Sequence, residues 1–396
     1  MMLPANICIA GKNSIAIEVL EYALAHYSGC RFFALCNRND TGLDGWQRSY
    51  AARARALQVP LIEMDQAQQL PDCVFISLEY DRLLKPGRFV SARLYNIHFS
   101  LLPAYKGMYT SAWPILRGEA ESGVTLHEID AGIDTGPIVA QRAFPIDPDM
   151  TCAQLYMAYL RHGTALVCEQ LDDILHRRAN SRPQPALGAS YYSRSSIDYQ
   201  QLQLDLHKTA IEIKRQILAF AHRRYQLPRL HGEAVVGASV VEDVRSGLRP
   251  GELVRRTDDS LVIATIDYDL EVYIDRLSIV LQACESGQAD IVRRLLPNLG
   301  YIDEKNDRGW SALIVAAYHG QVEVMRLLLE AGADPNDSNF NGTTVLMYAK
   351  DAALRHGDNA PMQLLLAAGA DLARRDYRGR ALIDYLDEQQ ARQLGI

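Results

Sequence analysis

The stretch NIHFSLLPAYKG, residues 96–107, decides how the first half of this 396-residue chain is read. Asn96, His98 and Ser100 alternate with Ile97 and Phe99, the period-two pattern of a strand whose successive side chains face opposite sides. An amide and an imidazole therefore leave one face of a strand end together, a pairing suited to proton transfer and to holding a developing negative charge. The strand breaks at Leu102-Pro103 into a polar, aromatic loop ending at Gly107. Further on, Val124–Ile129 reads as a second strand and enters a loop carrying Asp130 and Asp134, with Gly132 and Gly136 permitting tight turns and close approach of a ligand. Asn96, His98 and Asp134 are the candidate catalytic set. Spacing alone leaves a second reading open, because a histidine beside apolar residues also fits a hydrogen-bonded core position and an Asp-Gly loop a plain turn.

Outward from this stretch, the preceding chain alternates strands and helices. Strand runs at Asn6–Ala10, Arg31–Cys36, Pro60–Met64 and Cys73–Leu78 are separated by helical patterns at Ile15–His26 and Gln47–Leu57. That alternation predicts an α/β fold with a mostly parallel sheet, helices on its faces and ligands beyond the carboxyl ends of the strands. The GKNS turn after the first strand is neither a P-loop nor a dinucleotide fingerprint: Asn6 and Asn13 stand where the P-loop needs Gly and Ser or Thr, and there is one glycine only. Val139–Pro145 completes the sheet, Thr151–Arg177 reads as a long closing helix, and Arg178–Ala189 as a linker.

Composition sets the class. The hydrophobic fraction is 48% and the charged fraction 22%, values of an ordinary globular protein. The formal net charge of −7 argues against nucleic acid or an anionic membrane as the main partner. The seven cysteines are odd in number and lack C-x-x-C spacing, so neither a disulfide framework nor a zinc site is predicted. No segment has the length of a membrane span or the pattern of a signal peptide, and a cytoplasmic, reduced protein is expected.

NIHFSLLPAYKG followed by VTLHEIDAGIDTGPIVAQ resembles the signature of folate-dependent formyltransferases, the family that includes glycinamide ribonucleotide, methionyl-tRNA and nucleotide-sugar formyltransferases. The resemblance puts the family's catalytic Asn, His and Asp on Asn96, His98 and Asp134 and implies a cis bond at Leu102–Pro103. It implies 10-formyltetrahydrofolate as co-substrate, with the pterin against Phe75, Ser77, Leu78 and Glu79 on one side and Asp130, Ile133 and Gly136 on the other. His127 is structural or lines the same pocket. Formyl transfer to an amine passes through a tetrahedral oxyanion and needs a neutral amine and a group that moves its proton. Asn96 supplies a donor for the oxygen, His98 a donor or proton carrier, and Asp134 an orienting carboxylate. No metal is required.

For the acceptor, the aromatic, hydroxyl-rich run AYKGMYTSAWPI resembles the corresponding loop of enzymes that formylate nucleotide-linked 3-amino-3,6-dideoxyhexoses. Tyr105, Lys106, Met108, Tyr109, Ser111 and Trp113 are its candidate contacts. A small β-rich domain is expected next, with strand runs near Val235–Val241, Glu252–Arg255, Leu261–Ile266 and Leu270–Ile274 after a helix Tyr199–Arg223. Its Tyr191, Tyr192, Arg194, Phe220, Arg223 and Tyr225 are candidates for stacking a base and pairing phosphates. Residues 189–277 hold 12 Lys and Arg against 13 Asp and Glu, a balance that disfavours a tRNA-gripping domain. A dTDP-linked 3-amino-3,6-dideoxyglucose is the favoured acceptor, its 4-amino isomer the alternative, and hydrolysis of the formyl group uses a similar triad. The resemblance further implies a homodimer and a role in cell-surface polysaccharide (O-antigen) synthesis.

From Leu277 the chain repeats itself. SGQADIVRRLL recurs as HGQVEVMRLLL, with Gly287 and Gly320 in register, and Gly309 recurs as Gly342. The AGAD exits at Ala331 and Ala368 lie further apart because residues 350–361 hold an insertion. A period of about 33 residues with a Gly turn and two short helices resembles ankyrin repeats. Domains are expected at 1–188, 189–276 and 277–396. Trp310, Tyr318, His319, Tyr348 and Arg378 are candidates for a ligand site on the repeats, for a protein or a small nucleotide. The competing reading is an interaction protein whose folate-binding domain is a relic.

Overall fold

The computed structural model describes residues 3–242 and 245–396. The chain divides into two compact units, Met1–Leu202 with Leu218–Arg223, and Gln203–Ile217 with Arg224–Ile396.

The first unit is built on a six-stranded mixed sheet. Strands β1 (Asn6–Gly11), β2 (Arg31–Cys36), β3 (Cys73–Leu78) and β4 (Arg93–His98) pair in parallel. After β4 comes a two-residue strand, β5 (Lys106–Gly107), and then β6 (Glu121–Glu128) and β7 (Ile138–Pro145), which pair antiparallel. The order across the sheet is β2-β1-β3-β4-β6-β7. β1 and β3 are buried at every residue, as strands covered by helices on both faces must be. The long helix Cys152–Leu175 opens with a reciprocal cap between Thr151 and Gln154 and buries Leu155, Val167, Leu171 and Ile174. The expected parallel start is present; the strand expected at residues 60–64 shrinks to a single bridge between Leu61 and Ala34, because Glu63 caps a short helix at Met64–Gln68. The linker is not free either: Arg182 and Ile138 exchange both backbone hydrogen bonds, at 2.7 and 2.9 Å. It leads to β8 (Tyr191–Tyr192), which pairs in parallel with β5.

The helix expected over residues 199–223 forms only at Ala210–Phe220. Asp198 ties down the amides of Gln200 and Gln201 in a single 3-10 turn. Gln216 holds both backbone groups of Asp205, and Thr209 and Glu212 cap each other where the helix begins. In the second unit Ala210, Ile213 and Ile217 of this helix cover an antiparallel sheet of β9 (Arg229–Leu230), β10 (Glu233–Val241), β11 (Leu253–Arg256), β12 (Ser260–Ala264) and β13 (Asp269–Ile274). That sheet matches the β-rich reading.

The rest of the second unit is a stack of helix pairs, Leu277–Glu285 with Ala289–Leu295, Ala312–His319 with Val322–Glu330, and Val345–His356 with Ala360–Ala367. Their shared apolar core holds Val280, Leu295, Ile314, Leu328, Leu346 and Leu365. The turn after each pair is built alike. Asn306 accepts from the amides of Arg308 and Trp310, Asn339 from those of Asn341 and Thr343, and Asp376 from those of Arg378 and Arg380. Gly309 and Gly342 sit at φ 79° and 76°, and a Cβ there would lie 2.7 Å from the Phe340 amide nitrogen or 2.8 Å from that of Tyr377. Gly379 adopts the same φ of 81° with nothing within 4 Å. Gly309→Ala and Gly379→Ala therefore share the left-handed backbone cost of roughly 1–2 kcal/mol, and only Gly309→Ala also clashes with the next turn. We expect Gly309→Ala to lose at least about 1 kcal/mol more in urea unfolding of the stack; equal losses would refute the packing argument.

Candidate active site

β4 delivers Asn96 and His98 to the carboxyl end of the sheet, between two neighbours. Its register sets Asn96 beside Ser77 of β3 and His127 of β6, and His98 beside Thr125. The loop after β4 turns through Leu102–Pro103, which is cis. Thr125, fully buried, clasps this loop: its hydroxyl donates to the Ser100 carbonyl at 2.6 Å and accepts from the Leu102 amide at 3.1 Å. Gln141 donates to the Leu102 carbonyl and to the same hydroxyl at 2.8 and 3.0 Å.

The hydrogen-bond partners fix the tautomer of each histidine. The Tyr105 carbonyl lies 2.8 Å from His98 Nε2; a carbonyl only accepts, so Nε2 carries the proton and Nδ1 the lone pair of the neutral ring. Nδ1 faces Asp134 Oδ2 at 3.5 Å. His127 Nδ1 lies 2.7 Å from the Glu128 carbonyl and so holds its proton there, which leaves Nε2 to accept from Asn96 Nδ2 at 3.1 Å. His127, 3% exposed, thus turns the Asn96 amide so that its NH2 faces inward, and the second amide hydrogen has no partner among the described residues. Asp134 stands at φ 53°. Its Oδ2 accepts from the Gly107 amide at 2.9 Å, and its Oδ1 lies 3.7 Å from His127 Nε2.

Burial holds the His98 imidazole below its usual range, against the pull of Asp134. Burial alone would raise the Asp134 carboxyl, but His98, His127 and the Gly107 amide together bring it down to about 2. The site at neutral pH is a neutral imidazole beside a carboxylate, with an amide donor on the same strand.

The pterin-facing candidates separate. Phe75 is fully buried and packs edge-on against Phe89, and Ser77 and Leu78 are buried in β3. Glu79 stands at φ 60° just beyond the strand, bonded to Asn13 at 2.7 Å and Tyr156 at 2.9 Å with Lys12 at 3.8 Å. Burial raises its carboxyl against these three. Lys12 and Asn13 also line a crevice with Trp46 and Gln47. Asp130 is spent on its own loop, accepting from the Gly132 amide and the Thr135 hydroxyl, while Ile133 is 37% exposed beside Asp134. A Cβ on Gly136 would fall 1.8 Å from the Glu128 carbonyl oxygen.

Among the acceptor candidates, Trp113 and Tyr105 stack on Tyr192 at 4.1 and 5.8 Å. Tyr109 donates to the Arg194 carbonyl and meets Tyr199, which in turn meets Phe220. Lys106 lies in β5, Ser111 is half-buried just before Trp113, Arg223 closes the first unit, and Met108 and Tyr191 are exposed. Tyr225 falls in the second unit. On the repeats, Trp310, Tyr318 and Tyr348 form one cluster with ring centres 5.2 to 5.9 Å apart, and His319 abuts Tyr318. Arg378 stays out of it, exposed in the next turn. Sequence reasoning missed Thr125, Gln141, Gln184, Ser190 and Tyr156, whose spacing carries no signal because their partners are remote in the chain.

The depressed Asp134 carboxyl has a pH consequence. Its folded pKa lies below the ordinary value of about 3.9, so its stabilisation is complete above that value and disappears as pH falls toward about 2. Urea midpoints of the protein and of Asp134→Asn should converge by on the order of 2 kcal/mol between pH 6 and pH 2.5. A difference that does not change with pH would contradict the assignment.

Residues 45–171 match the family model "Formyl transferase", and residues 272–376 match "Ankyrin repeats (3 copies)". A solved N-formyltransferase from Helicobacter canadensis, in complex with folinic acid and dTDP-3-aminofucose, is 36% identical with a TM-score of 0.64 over 69% of this chain and 100% of its own. A sugar 3N-formyltransferase solved in the presence of dTDP and 5-N-formyl-THF gives 36% and 0.64 over 68% and 97%. The methionyl-tRNA formyltransferase of Synechococcus sp. (strain JA-3-3Ab) is 35% identical over 37% of this chain and 46% of its own length. For several such curated relatives the chain spans about half of their length; for the Bordetella parapertussis enzyme, 30% identical, it spans 70%. The chain belongs to the formyltransferase family and carries ankyrin repeats behind the formyltransferase fold.

Proposed function

We propose that the protein transfers a formyl group from 10-formyltetrahydrofolate to the amine of a dTDP-linked 3-amino-3,6-dideoxyhexose, with 3-amino-3,6-dideoxyglucose favoured. The observation that carries the reaction is the Nε2–H tautomer of His98 with its basic Nδ1 beside Asp134. When bound, the folate supplies a formyl group on nitrogen. The unused Asn96 amide hydrogen and the exposed apolar Ile133 next to Asp134 suit such a flat, carbonyl-bearing donor.

The chain's own residues then divide the work. Asn96, held by His127, donates to the formyl oxygen as negative charge develops there. His98 takes the amine proton on Nδ1 as the new C–N bond forms, Asp134 stabilises the imidazolium, and His98 then gives the proton to the folate nitrogen as that nitrogen's bond to the formyl carbon breaks. Tyr105 keeps Nε2 protonated throughout. Support for a nucleotide-sugar acceptor comes from the two neighbours at 36% identity, which this chain covers almost end to end; of the methionyl-tRNA enzymes it covers 46 to 70%. The stack of Trp113, Tyr192 and Tyr105 offers flat apolar surface for a sugar ring or base. On the repeats, the cluster of Trp310, Tyr318 and Tyr348 is proposed as a surface for a nucleotide or a protein partner.

The test is formyl transfer with purified protein, 10-formyltetrahydrofolate and a panel of dTDP-3-amino and dTDP-4-amino sugars. Turnover with the 3-amino sugar is expected, and His98→Ala should lower kcat by about 10²–10⁴-fold. Formate release without acceptor would replace transfer by hydrolysis. Silence across the panel with folate still bound would favour a binding protein.

A further inference from the structure

The segment from Ser181 to Tyr192 lies across the two loops that surround His98. At one end, Gln184 Nε2 donates to the carbonyl oxygens of Asp134 and Gly136, both at 2.8 Å. The orientation of its amide is unambiguous, since a carbonyl oxygen turned toward two carbonyls would find no hydrogen. At the other end, Ser190 uses three of its groups. Its Oγ accepts from the Tyr105 amide at 2.8 Å, its carbonyl accepts from the Lys106 amide at 2.9 Å, and its amide donates to the Pro103 carbonyl at 3.2 Å. Ser190 leads directly into the β5–β8 pairing of Lys106 with Tyr191 and Gly107 with Tyr192.

The anchored positions are the partners of His98. Tyr105 supplies the carbonyl that holds the Nε2 proton, and Gly107 supplies the amide that fixes Asp134 Oδ2. Tyr105 and Asp134 both sit in the left-handed backbone region, at φ 58° and 53°. A non-glycine residue stays there only where its surroundings hold it. The Ser190 hydroxyl holds the Ala104–Tyr105 peptide through the Tyr105 amide; without it the left-handed turn at Tyr105, which aims the carbonyl at Nε2, keeps only the backbone bond from the Lys106 amide to Ser190. Released from Gln184, the Asp134 turn loses the bonds that aim its carboxylate at Nδ1.

We infer that Gln184 and Ser190 are positioning residues of the formyl-transfer site, acting through these two loops to set the tautomer of His98 and its alignment with Asp134. The inference rests on the proposed reading of His98 as the base.

Ser190→Ala and Gln184→Met, each alone and combined with His98→Ala, test it. Each single variant should lower kcat by about 10–100-fold, the scale of a small misplacement, with KM for both substrates within about 3-fold. Ser190→Thr, which keeps the hydroxyl, should recover most of the rate. On the His98→Ala background neither change should lower the rate further, because the group being positioned is gone. Nitrogen NMR of the imidazoles reads the same point without substrate: His98 should be Nε2-protonated in the protein and a mixture of tautomers in Ser190→Ala. An unchanged His98 tautomer in Ser190→Ala, or an undiminished loss on the His98→Ala background, overturns the inference. Absence of turnover with every acceptor sinks the proposed function but leaves the tautomer measurement to decide this one.

Discussion

The bond from His98 Nε2 to the Tyr105 carbonyl, at 2.8 Å, is the constraint on which the site depends. A buried acceptor that cannot donate leaves the imidazole one neutral tautomer, and that tautomer turns the basic nitrogen toward Asp134. Had Tyr105 pointed its carbonyl elsewhere, the same three residues at the same sequence positions would have formed a different proton arrangement. The chemistry therefore depends on the path of the loop at residues 100–107 as much as on the side chains it surrounds.

That path is held from several directions at once. Thr125 and Gln141 grip its first turn from β6 and β7, and Ser100 closes it internally on the Ala104 carbonyl. Most of these polar atoms are buried, where an unmade hydrogen bond costs about 1–3 kcal/mol. The network is consequently cooperative: each bond is favourable because its neighbours keep its partner in place. His127 plays the matching part for Asn96, converting a backbone carbonyl of β6 into an orientation of the amide.

The repeats in the second unit follow a different logic. Each turn solves one local problem with one acceptor, Asn306, Asn339 or Asp376, and each glycine that meets a following turn has no room for a side chain. Contacts between neighbours in sequence build the whole stack, so its period survives in the sequence even where the motif is worn. The aromatic cluster joins two adjacent repeats, with Trp310 and Tyr318 from one and Tyr348 from the next. Arg378, one turn beyond, is exposed, whereas Trp310 and Tyr318 are half-buried and Tyr348 is buried.

What the sequence determined by itself are the features encoded by short-range pattern: the strand carrying Asn96 and His98, the alternation that predicts a parallel sheet, the β-rich segment after it and the repeats. The Leu102–Pro103 turn belongs with these, through a motif contiguous in the chain. The helix expected over residues 199–223 failed at its start, where the side-chain bonds of Asp198 and Gln216 outweigh apolar periodicity. Only the tertiary structure decided that residues 178–189 are no free linker and that Phe75 faces the core. It also decided which hydrogen each histidine carries. Phe75 is buried by apolar packing against Phe89, and the histidine protons follow the path of the backbone at Tyr105 and Glu128. What ties down residues 178–189 is a hydrogen bond between residues far apart in the chain, as from Gln184 to Asp134 or from Tyr105 to Ser190, which leaves no periodicity in the sequence. It exists only once the sheet has brought the two segments together.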